Sequence, residues 1–212
     1  MSSLIPSQLN IGSGRYFFLD YLNVDIHQQW EPDILLDITK PLFENDQKEY
    51  SFTSERFGTI TLTEESVDKV IAWHILEHLP NVVTAMTNIL RLLKTGGVVH
   101  IRVPHELSLG AWQDPTHVRA FNENSWIYYT QWFWYLGWTS HRFQEQEIRY
   151  VTSDLGNKML AKGYKLEKLL LVPRAVREID ITLKKIELSP KEKAYVSQQK
   201  VHKVLSTEIY RR

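Results

Sequence analysis

The feature that most constrains the fold is a short apolar run that leads into two glycines, Leu9-Asn10-Ile11-Gly12-Ser13-Gly14. A second short run, Leu22-Asn23-Val24, follows it and ends in Asp25. Glycine has no Cβ, so the backbone of a Gly-x-Gly loop can approach a ligand closely. In open α/β sheets, an acidic residue at the tip of the next strand binds ribose hydroxyls. Together the two runs predict a nucleoside site at the carboxyl ends of parallel strands.

The residues after the glycines argue against a dinucleotide as the ligand. A full Gly-x-Gly-x-x-Gly fingerprint uses its third glycine to pack a helix whose N-terminus faces a pyrophosphate. Phe17 occupies that third position. Residues 15–20 are also too few for a complete helix, because a βαβ crossover normally takes about ten residues or more. We therefore predict a shortened first crossover and a ligand that lacks a pyrophosphate.

The composition favours a single α/β domain that acts on small molecules. The chain has 212 residues, with 25 Lys and Arg against 25 Asp and Glu, and this zero formal charge argues against a nucleic-acid partner. It has no cysteine, which excludes disulfides and Cys-type zinc sites. The first residues lack the features of a signal peptide, and no apolar run is long enough to span a bilayer. We expect a cytoplasmic protein without a membrane partner.

Alternating apolar patterns predict the order of the elements along the chain. Helices are predicted over residues 82–93 and 153–162, and the capping box Ser189-Pro190-Lys191-Glu192 predicts another from Pro190. Strands are predicted over residues 8–11, 22–25, 34–37, 67–73, 98–103, 166–172 and 179–186. The predicted organisation is a domain over residues 1–188, with an insertion at 43–66 and a substrate-side region at 105–150, and a C-terminal helix over 189–212. The apolar stripe of that helix packs on its own domain or joins two copies in a homodimer.

A series of blocks in fixed order resembles the class I S-adenosylmethionine-dependent methyltransferases of the small-molecule type. The blocks are the glycine run, Asn23-Val24-Asp25, Asp37-Ile38-Thr39, the run from Val67 to Leu79 with His74-Ile75-Leu76-Glu77-His78, and Arg91-Leu92-Leu93-Lys94-Thr95-Gly96-Gly97. The resemblance implies a Rossmann-like, mostly parallel seven-stranded sheet whose last strand is antiparallel. It also implies S-adenosylmethionine as the cofactor.

Carried over to this sequence, the resemblance implies a set of cofactor-binding residues. Asp25 would bind the ribose hydroxyls, Asp37 would lie by the adenine amino group, and Trp73 would face the methionine end. The full predicted set is Gly12, Ser13, Gly14, Asp25, Ile26, Asp37, Ile38, Trp73 and His74.

Candidate catalytic residues follow the strand predicted at 98–103. Methyl transfer from a sulfonium is an in-line displacement, so alignment supplies most of the acceleration, and a base helps where the acceptor must lose a proton. His105, Asp114 and His117 are the candidates, with a small polar acceptor, such as a sugar or related metabolite, methylated on oxygen or nitrogen. These residue types can also bind a metal. Without a fourth ligand or a tight spacing, we predict no metal.

Two alternatives to the methyltransferase remain open from the sequence. His74-Ile75-Leu76-Glu77-His78 matches the H-x-x-E-H pattern of one zinc peptidase class, which requires a helix and a third ligand. Because the motif begins where a strand ends, we expect its histidines to point differently and to bind no zinc. The other alternative is a non-catalytic nucleoside-binding protein. An occluded acceptor pocket would favour this alternative.

The aromatic run from Ser125 to Tyr135 allows two interpretations. It is either core packing or an oligomer contact, or it is a lid over the acceptor, since pockets are lined largely by apolar and aromatic side chains.

Overall fold

The chain forms a central seven-stranded sheet and a separate two-stranded hairpin. The computed structural model describes residues 5–44 and 47–209, with side chains up to residue 199. The strands are β1 (Gln8–Ile11), β2 (Leu22–Asp25), β3 (Ile34–Leu35), β4 (Glu49–Ser54), β5 (Gly58–Thr63), β6 (Val67–Trp73), β7 (Leu93–Pro104), β8 (His141–Thr152) and β9 (Val176–Glu187). The α-helices are α1 (Val82–Leu92), α2 (Gly110–Gln113), α3 (Ile127–Thr130), α4 (Asp154–Ala161), α5 (Leu166–Leu169) and α6 (Pro190–Ile209). Short 3₁₀ helices cover Gln28–Trp30, Leu76–His78 and Phe133–Leu136.

The central sheet has the topology that the resemblance implies. Its strand order is β3, β2, β1, β6, β7, β9 and β8. Pairing is parallel from β3 to β7, and β9 inserts antiparallel between β7 and β8. The predicted mostly parallel sheet with an antiparallel last strand is therefore confirmed. In a sheet of this kind the ligand crevice lies outside the carboxyl ends of the parallel strands.

The first crossover is short, as predicted. Residues 12–21, all within the described part of the chain, contain turns and no helix. Two buried asparagines that are register partners on β1 and β2 support it instead. Asn10 Nδ2 donates to Tyr16 O at 2.8 Å and to Asn23 Oδ1 at 2.9 Å, and Asn23 Nδ2 donates to Phe18 O at 2.9 Å. These bonds satisfy loop carbonyls that a helix would have satisfied internally.

The prediction of the strand that pairs with β9 at the sheet edge was wrong. Residues 166–172 were predicted as a strand, but they begin with α5, in which Leu169 is buried against Ala175 and Val176. The strand is β8, which lies inside the region that was assigned to the substrate side. Its only fully buried residue is Phe143. An edge strand of this kind lacks the apolar alternation by which strands are recognised.

A hairpin lies within the segment 43–66, and the last helix begins at the capping box. Residues 49–63 are the antiparallel hairpin β4–β5, which pairs Tyr50 with Leu62. At the start of α6, Ser189 Oγ accepts from Glu192 N at 3.3 Å, and Glu192 Oε2 accepts from Ser189 N at 2.8 Å. The predicted stripe of α6 beyond residue 199 lies outside the described side chains. None of the helices in the described residues is both long and apolar enough to cross a bilayer.

Gly156 gives a stability prediction for the contact between α4 and the start of β9. A Cβ at this position would lie 2.2 Å from Ala175 O, a backbone atom that cannot turn away. Alanine normally stabilises a helix relative to glycine, but we expect Gly156→Ala to lower the free energy of unfolding by about 2 kcal/mol through overpacking. Urea unfolding measures the difference. Lys158→Ala, on an exposed face of the same helix, is the matched control, and equal stability of the two variants would contradict the contact.

Candidate functional site

A cavity of about 440 Å³ opens at the carboxyl ends of β1, β2 and β6. Its position is the one expected for a ligand of an open α/β sheet. The lining residues are Ile11, Gly12, Val24, Asp25, Ile26, His27, Trp30, Leu36, Asp37, Ile38, Thr39, Ile75, His78, Leu79, Pro80 and Thr116. We call it the first cavity.

The glycine loop and Asp25 are held together by backbone hydrogen bonds. Gly14 N donates to Asp25 Oδ2 at 2.8 Å, and His27 N donates to Asp25 Oδ1 at 2.9 Å. These bonds fix the carboxylate, which is 8% exposed, and leave each oxygen able to accept a further bond. Gly12 has φ +69°, and a Cβ there would lie 2.5 Å from Ile75 Cγ1. The loop thus requires glycine at position 12 and presents an oriented carboxylate to the cavity.

The opposite wall of the first cavity is the segment after β3. Asp37 Oδ1 accepts from Thr39 N at 3.0 Å and from Thr39 Oγ1 at 2.6 Å, which orients this carboxylate as well. Asn88, buried in α1, donates to Ile38 O and to Lys40 O and accepts from Leu42 N. A polar residue inside the apolar face of α1 therefore positions the wall that carries Asp37 and Ile38.

The structure places eight of the nine predicted cofactor residues in three groups. Gly12, Asp25, Ile26, Asp37 and Ile38 line the first cavity. Ser13 and Gly14 lie in the loop behind Asp25, and His74 lines a second cavity described below.

Trp73 lies elsewhere, and this corrects its predicted position at the methionine end. Its ring packs edge-on against Phe18 and His100. Side chains of a strand alternate between the two faces of its sheet, and Trp73 points to the face that carries His100. Ile75 and Leu79 form part of the cavity wall in its place. Sequence reasoning missed them, although both stand in the block that carried the resemblance.

A second cavity, of about 610 Å³, adjoins the first at the carboxyl end of β7. His78 lines both cavities. The second cavity is lined mostly by polar and charged residues: His74, Glu77, His78, Pro104, Ser108, Leu109, Gly110, Gln113, Asp114, His117, Ser153, Arg174, Arg177, Val176 and Glu178. Two of them, His74 at φ +53° and Arg174 at φ +64°, adopt the left-handed backbone conformation that is unfavourable for non-glycine residues and concentrates at functional sites.

The structure brings Asp114 and His117 to the second cavity but not His105. The His105 side chain is 1% exposed and is absent from the lining of either cavity. Its Nδ1 accepts from Leu107 N at 3.2 Å, and burial lowers the pKa of its imidazole. His105 therefore serves the packing of the loop, and the acceptor side is left with Asp114 and His117.

Hydrogen bonds orient the ionisable groups of the second cavity. His117 Nδ1 lies 2.9 Å from Ala111 O, and His78 Nδ1 lies 2.8 Å from Thr116 Oγ1. Asp114 accepts from Thr116, which lowers the pKa of the carboxyl. His74 Nδ1 is 3.4 Å from Glu77 Oε1, and this carboxylate raises the pKa of His74.

The aromatic run does not reach either cavity. Trp126, Tyr129 and Phe133 are buried in the main core, and Tyr135 is exposed. None of residues 118–152, all of them described, lines the first or the second cavity. The buried members of the run are core packing, and the run forms no lid over these two cavities. Of the predicted substrate-side region 105–150, only the part up to His117 faces the second cavity.

The H-x-x-E-H motif does not lie on an α-helix. His74 follows β6 with a left-handed backbone, and Leu76–His78 form one 3₁₀ turn. His74 approaches Glu77 and Glu178, whereas His78 contacts Thr116 and His117. The two histidines point differently, as expected, and the helix that the peptidase pattern requires is not formed.

Comparison with known proteins agrees with this geometry. Residues 9–101 match the family model described as "Methyltransferase domain". Over these residues the chain is similar to the methyltransferase family. The predicted family and its cofactor, S-adenosylmethionine, are thereby confirmed. No curated protein sequence matches the chain.

Solved structures share the fold of the methyltransferase domain at low sequence identity. A SAM-dependent methyltransferase from Archaeoglobus fulgidus is similar over 85% of this chain and 86% of its own, with 17% identity and a TM-score of 0.54. An S-adenosylmethionine-dependent methyltransferase from Mesorhizobium loti is similar over 84% and 89%, with 12% identity and a TM-score of 0.50. The [4+2]-cyclase SpnF is similar over 84% and 75%, also with 12% identity and a TM-score of 0.50. At these identities the similarity concerns the fold alone.

Proposed function

We propose that this chain is a methyltransferase that moves the methyl group of S-adenosylmethionine to an oxygen or nitrogen of a small polar molecule, such as a sugar or a related metabolite. The observation that carries the proposal is the junction of two cavities at His78. The first has a glycine loop and two oriented carboxylates, Asp25 and Asp37, and fits the nucleoside of the cofactor. The second is polar, adjoins it, and fits the acceptor.

Different residues of the first cavity bind different parts of the cofactor. Asp25 accepts hydrogen bonds from the ribose hydroxyls, since both of its oxygens are oriented and keep accepting capacity. Asp37 lies at the adenine end, with Ile38 against the ring face. The methionine end then extends past the Gly12 loop toward His78, so that the sulfonium methyl faces the second cavity. Alignment of methyl, sulfur and acceptor in that position supplies most of the acceleration.

The second cavity supports a polar acceptor that must lose a proton. His117 donates from Nδ1 to Ala111 O, a carbonyl that can only accept, so the neutral form of the ring carries its lone pair on Nε2. Such a nitrogen can take a proton from a hydroxyl or an amine. Asp114 lies in the same lining and can accept a hydrogen bond from the acceptor molecule. Arg174, Arg177 and Glu178 supply further polar contacts for orientation.

The alternative is a non-catalytic nucleoside-binding protein with the same fold. An occluded acceptor pocket would favour it, whereas the second cavity is open and carries Asp114 and His117. A screen of labelled S-adenosylmethionine against hydroxyl- and amine-bearing metabolites separates the two. Labelled product supports the enzyme. Tight binding of S-adenosylhomocysteine without transfer to any member of either class supports the binder. A cytoplasmic location and a homodimer remain predictions.

Asp25→Ala tests the cofactor assignment. Loss of charge-assisted hydrogen bonds to the ribose should weaken S-adenosylhomocysteine binding by about 2 kcal/mol, or about 30-fold. Titration calorimetry measures the affinity, and thermal unfolding checks that the variant is folded. The matched control is Asp20→Ala, an exposed aspartate of the same crossover that lies outside the first cavity. Equal affinity of the two variants would exclude Asp25 as the ribose ligand.

A further inference from the structure

Glu77 is a buried carboxylate whose one ion-pair contact among the described residues, to His74, is long. Its side chain belongs to a residue that is 1% exposed, and neither Oε1 nor Oε2 has a hydrogen-bond partner of adequate geometry among the described residues. Burying an ionised carboxylate costs several kcal/mol unless it is paired or coordinates a metal. The nearest cation is His74, whose Nδ1 is 3.4 Å from Oε1, beyond good hydrogen-bond distance. The carboxylate lines the second cavity and is available to a ligand there.

Two histidines beside Glu77 are held in the tautomer that binds metals. Thr116 Oγ1 donates its single proton to Asp114 Oδ1 at 2.7 Å. It must therefore accept from His78 Nδ1, 2.8 Å away, which leaves the lone pair of this ring on Nε2. His117 Nδ1 must donate to the carbonyl of Ala111, so its lone pair is also on Nε2. Metal-binding histidines are held in this way, with the other ring nitrogen donating to a polar group.

We propose that Glu77, His78 and His117 bind a divalent transition-metal ion of the zinc type, with open coordination positions that face the second cavity. One potential ligand atom from each residue lies within 4.8 Å of the others. Ligand atoms at about 2.1 Å from a tetrahedral ion are about 3.5 Å apart. Side-chain movements that shift these atoms by about 1 Å would therefore bring them to coordination distance. Two imidazoles and one carboxylate, with a position left open, are a donor set typical of catalytic zinc. Mg²⁺ prefers oxygen ligands and fits this set less well.

This site differs from the peptidase pattern that the sequence contains. His74 is outside the set, and its place is taken by His117, 39 positions after His78 in the chain numbering. Glu77 is a ligand here rather than a base. The spacing of the motif in the sequence therefore did not reveal this site. The proposal departs from the sequence-based expectation that His78 and His117 bind no metal.

The location of the ion narrows the acceptor, and this step rests on the proposed function. All three ligands line the second cavity, and His78 also lines the first, so the ion lies beside the expected path of the methyl group. An ion with an open position binds an oxygen of the acceptor and lowers the pKa of a bound hydroxyl. The acceptor class is then a compound with a hydroxyl, alone or beside a second oxygen donor, rather than a simple amine.

Metal titration of the untagged, chelator-treated and dialysed protein tests the site without cofactor or acceptor. We expect Zn²⁺ to bind in a 1:1 ratio by calorimetry, Co²⁺ to give the visible absorption of a low-coordinate site, and Mg²⁺ to bind at least tenfold more weakly. His117→Ala and Glu77→Gln should each weaken Zn²⁺ binding tenfold or more. Thr116→Val, which removes the support of His78 together with the side-chain bond to Asp114, should weaken it about tenfold. His141→Ala, at the start of β8 and outside both cavities, should leave it unchanged.

The outcomes separate this proposal from the proposed function. Absence of 1:1 binding, or binding that His117→Ala and Thr116→Val leave unchanged, would overturn the metal site, even if Glu77→Gln proved too unstable to measure. Calorimetry with S-adenosylhomocysteine on the same samples reports the cofactor site independently. If the protein binds Zn²⁺ but not S-adenosylhomocysteine, the metal site is supported and the methyltransferase function is rejected. If it binds S-adenosylhomocysteine but not Zn²⁺, the metal site is rejected and the methyltransferase function is supported.

Discussion

Gly12→Ala should lower the affinity for S-adenosylhomocysteine by about 100-fold, because strain and overpacking at this site together amount to about 3 kcal/mol. Position 12 has φ +69°, which alanine adopts only with strain. Its Cβ would also lie 2.5 Å from Ile75 Cγ1 and 2.8 Å from Ile75 Cβ, so a rotamer change of Ile75 cannot remove the overlap. The loop must shift away from the first cavity. Titration calorimetry measures the loss.

Gly14→Ala is the matched control for the clash. Gly14 also has a positive φ, +45°, but a Cβ there would meet nothing within 4 Å. Backbone strain alone should weaken binding about fivefold. Combining Gly12→Ala with Ile75→Ala should restore part of the affinity, and the coupling energy of this double-mutant cycle isolates the contact. Equal losses for both glycine variants would show that the Gly12–Ile75 contact does not shape the site.

His117→Ala should reduce turnover by about 100-fold or more while leaving the affinity for S-adenosylhomocysteine within about twofold, because the side chain acts on the acceptor side alone. The His117 ring lines the second cavity and is absent from the lining of the first. This result is expected whether His117 accepts a proton or binds an ion, and the zinc titration of the same variant separates the two roles. The assay is transfer of labelled methyl to the acceptor that the metabolite screen identifies.

His105→Ala and His141→Ala complete the comparison. His105 lies outside both cavities, so any loss from its removal should appear in the free energy of unfolding rather than in turnover of the folded fraction. His141 lies outside both cavities, so its removal should leave the turnover of the folded fraction unchanged. If His117→Ala retains full turnover, the assignment of the acceptor to the second cavity is wrong.

The cofactor side was predictable because its signals are local. Glycines, an aspartate at a strand end and two short apolar runs defined β1 and β2 at both of their ends. The backbone bonds from Gly14 and His27 to Asp25 join residues that are close in the chain, so the spacing carries the geometry. Asp37 and Ile38 follow for the same reason, because they come shortly after the end of β3.

The acceptor side was predictable only in outline, because its geometry depends on contacts between distant segments. Nothing in the spacing of His105 and His117 indicates which ring turns inward. That choice depends on the pairing of the residues after β7 with Phe121, which buries His105. The approach of His117 to Glu77 and His78 likewise joins a loop after β7 to a turn after β6. The polar edge strand β8 left no apolar pattern by which to recognise it.

His78 belongs to the walls of both cavities, and this imposes a thermodynamic condition on the two ligands. A cofactor that turns the imidazole as it enters the first cavity changes the affinity of the second for its own ligand. Reciprocity then requires the second ligand to change cofactor affinity by the same factor. Thr116, which holds the ring and also lines the first cavity, is the part of this coupling that mutation can loosen without removing the imidazole. Removal of the His78–Thr116 hydrogen bond should therefore change the coupling between the two ligands.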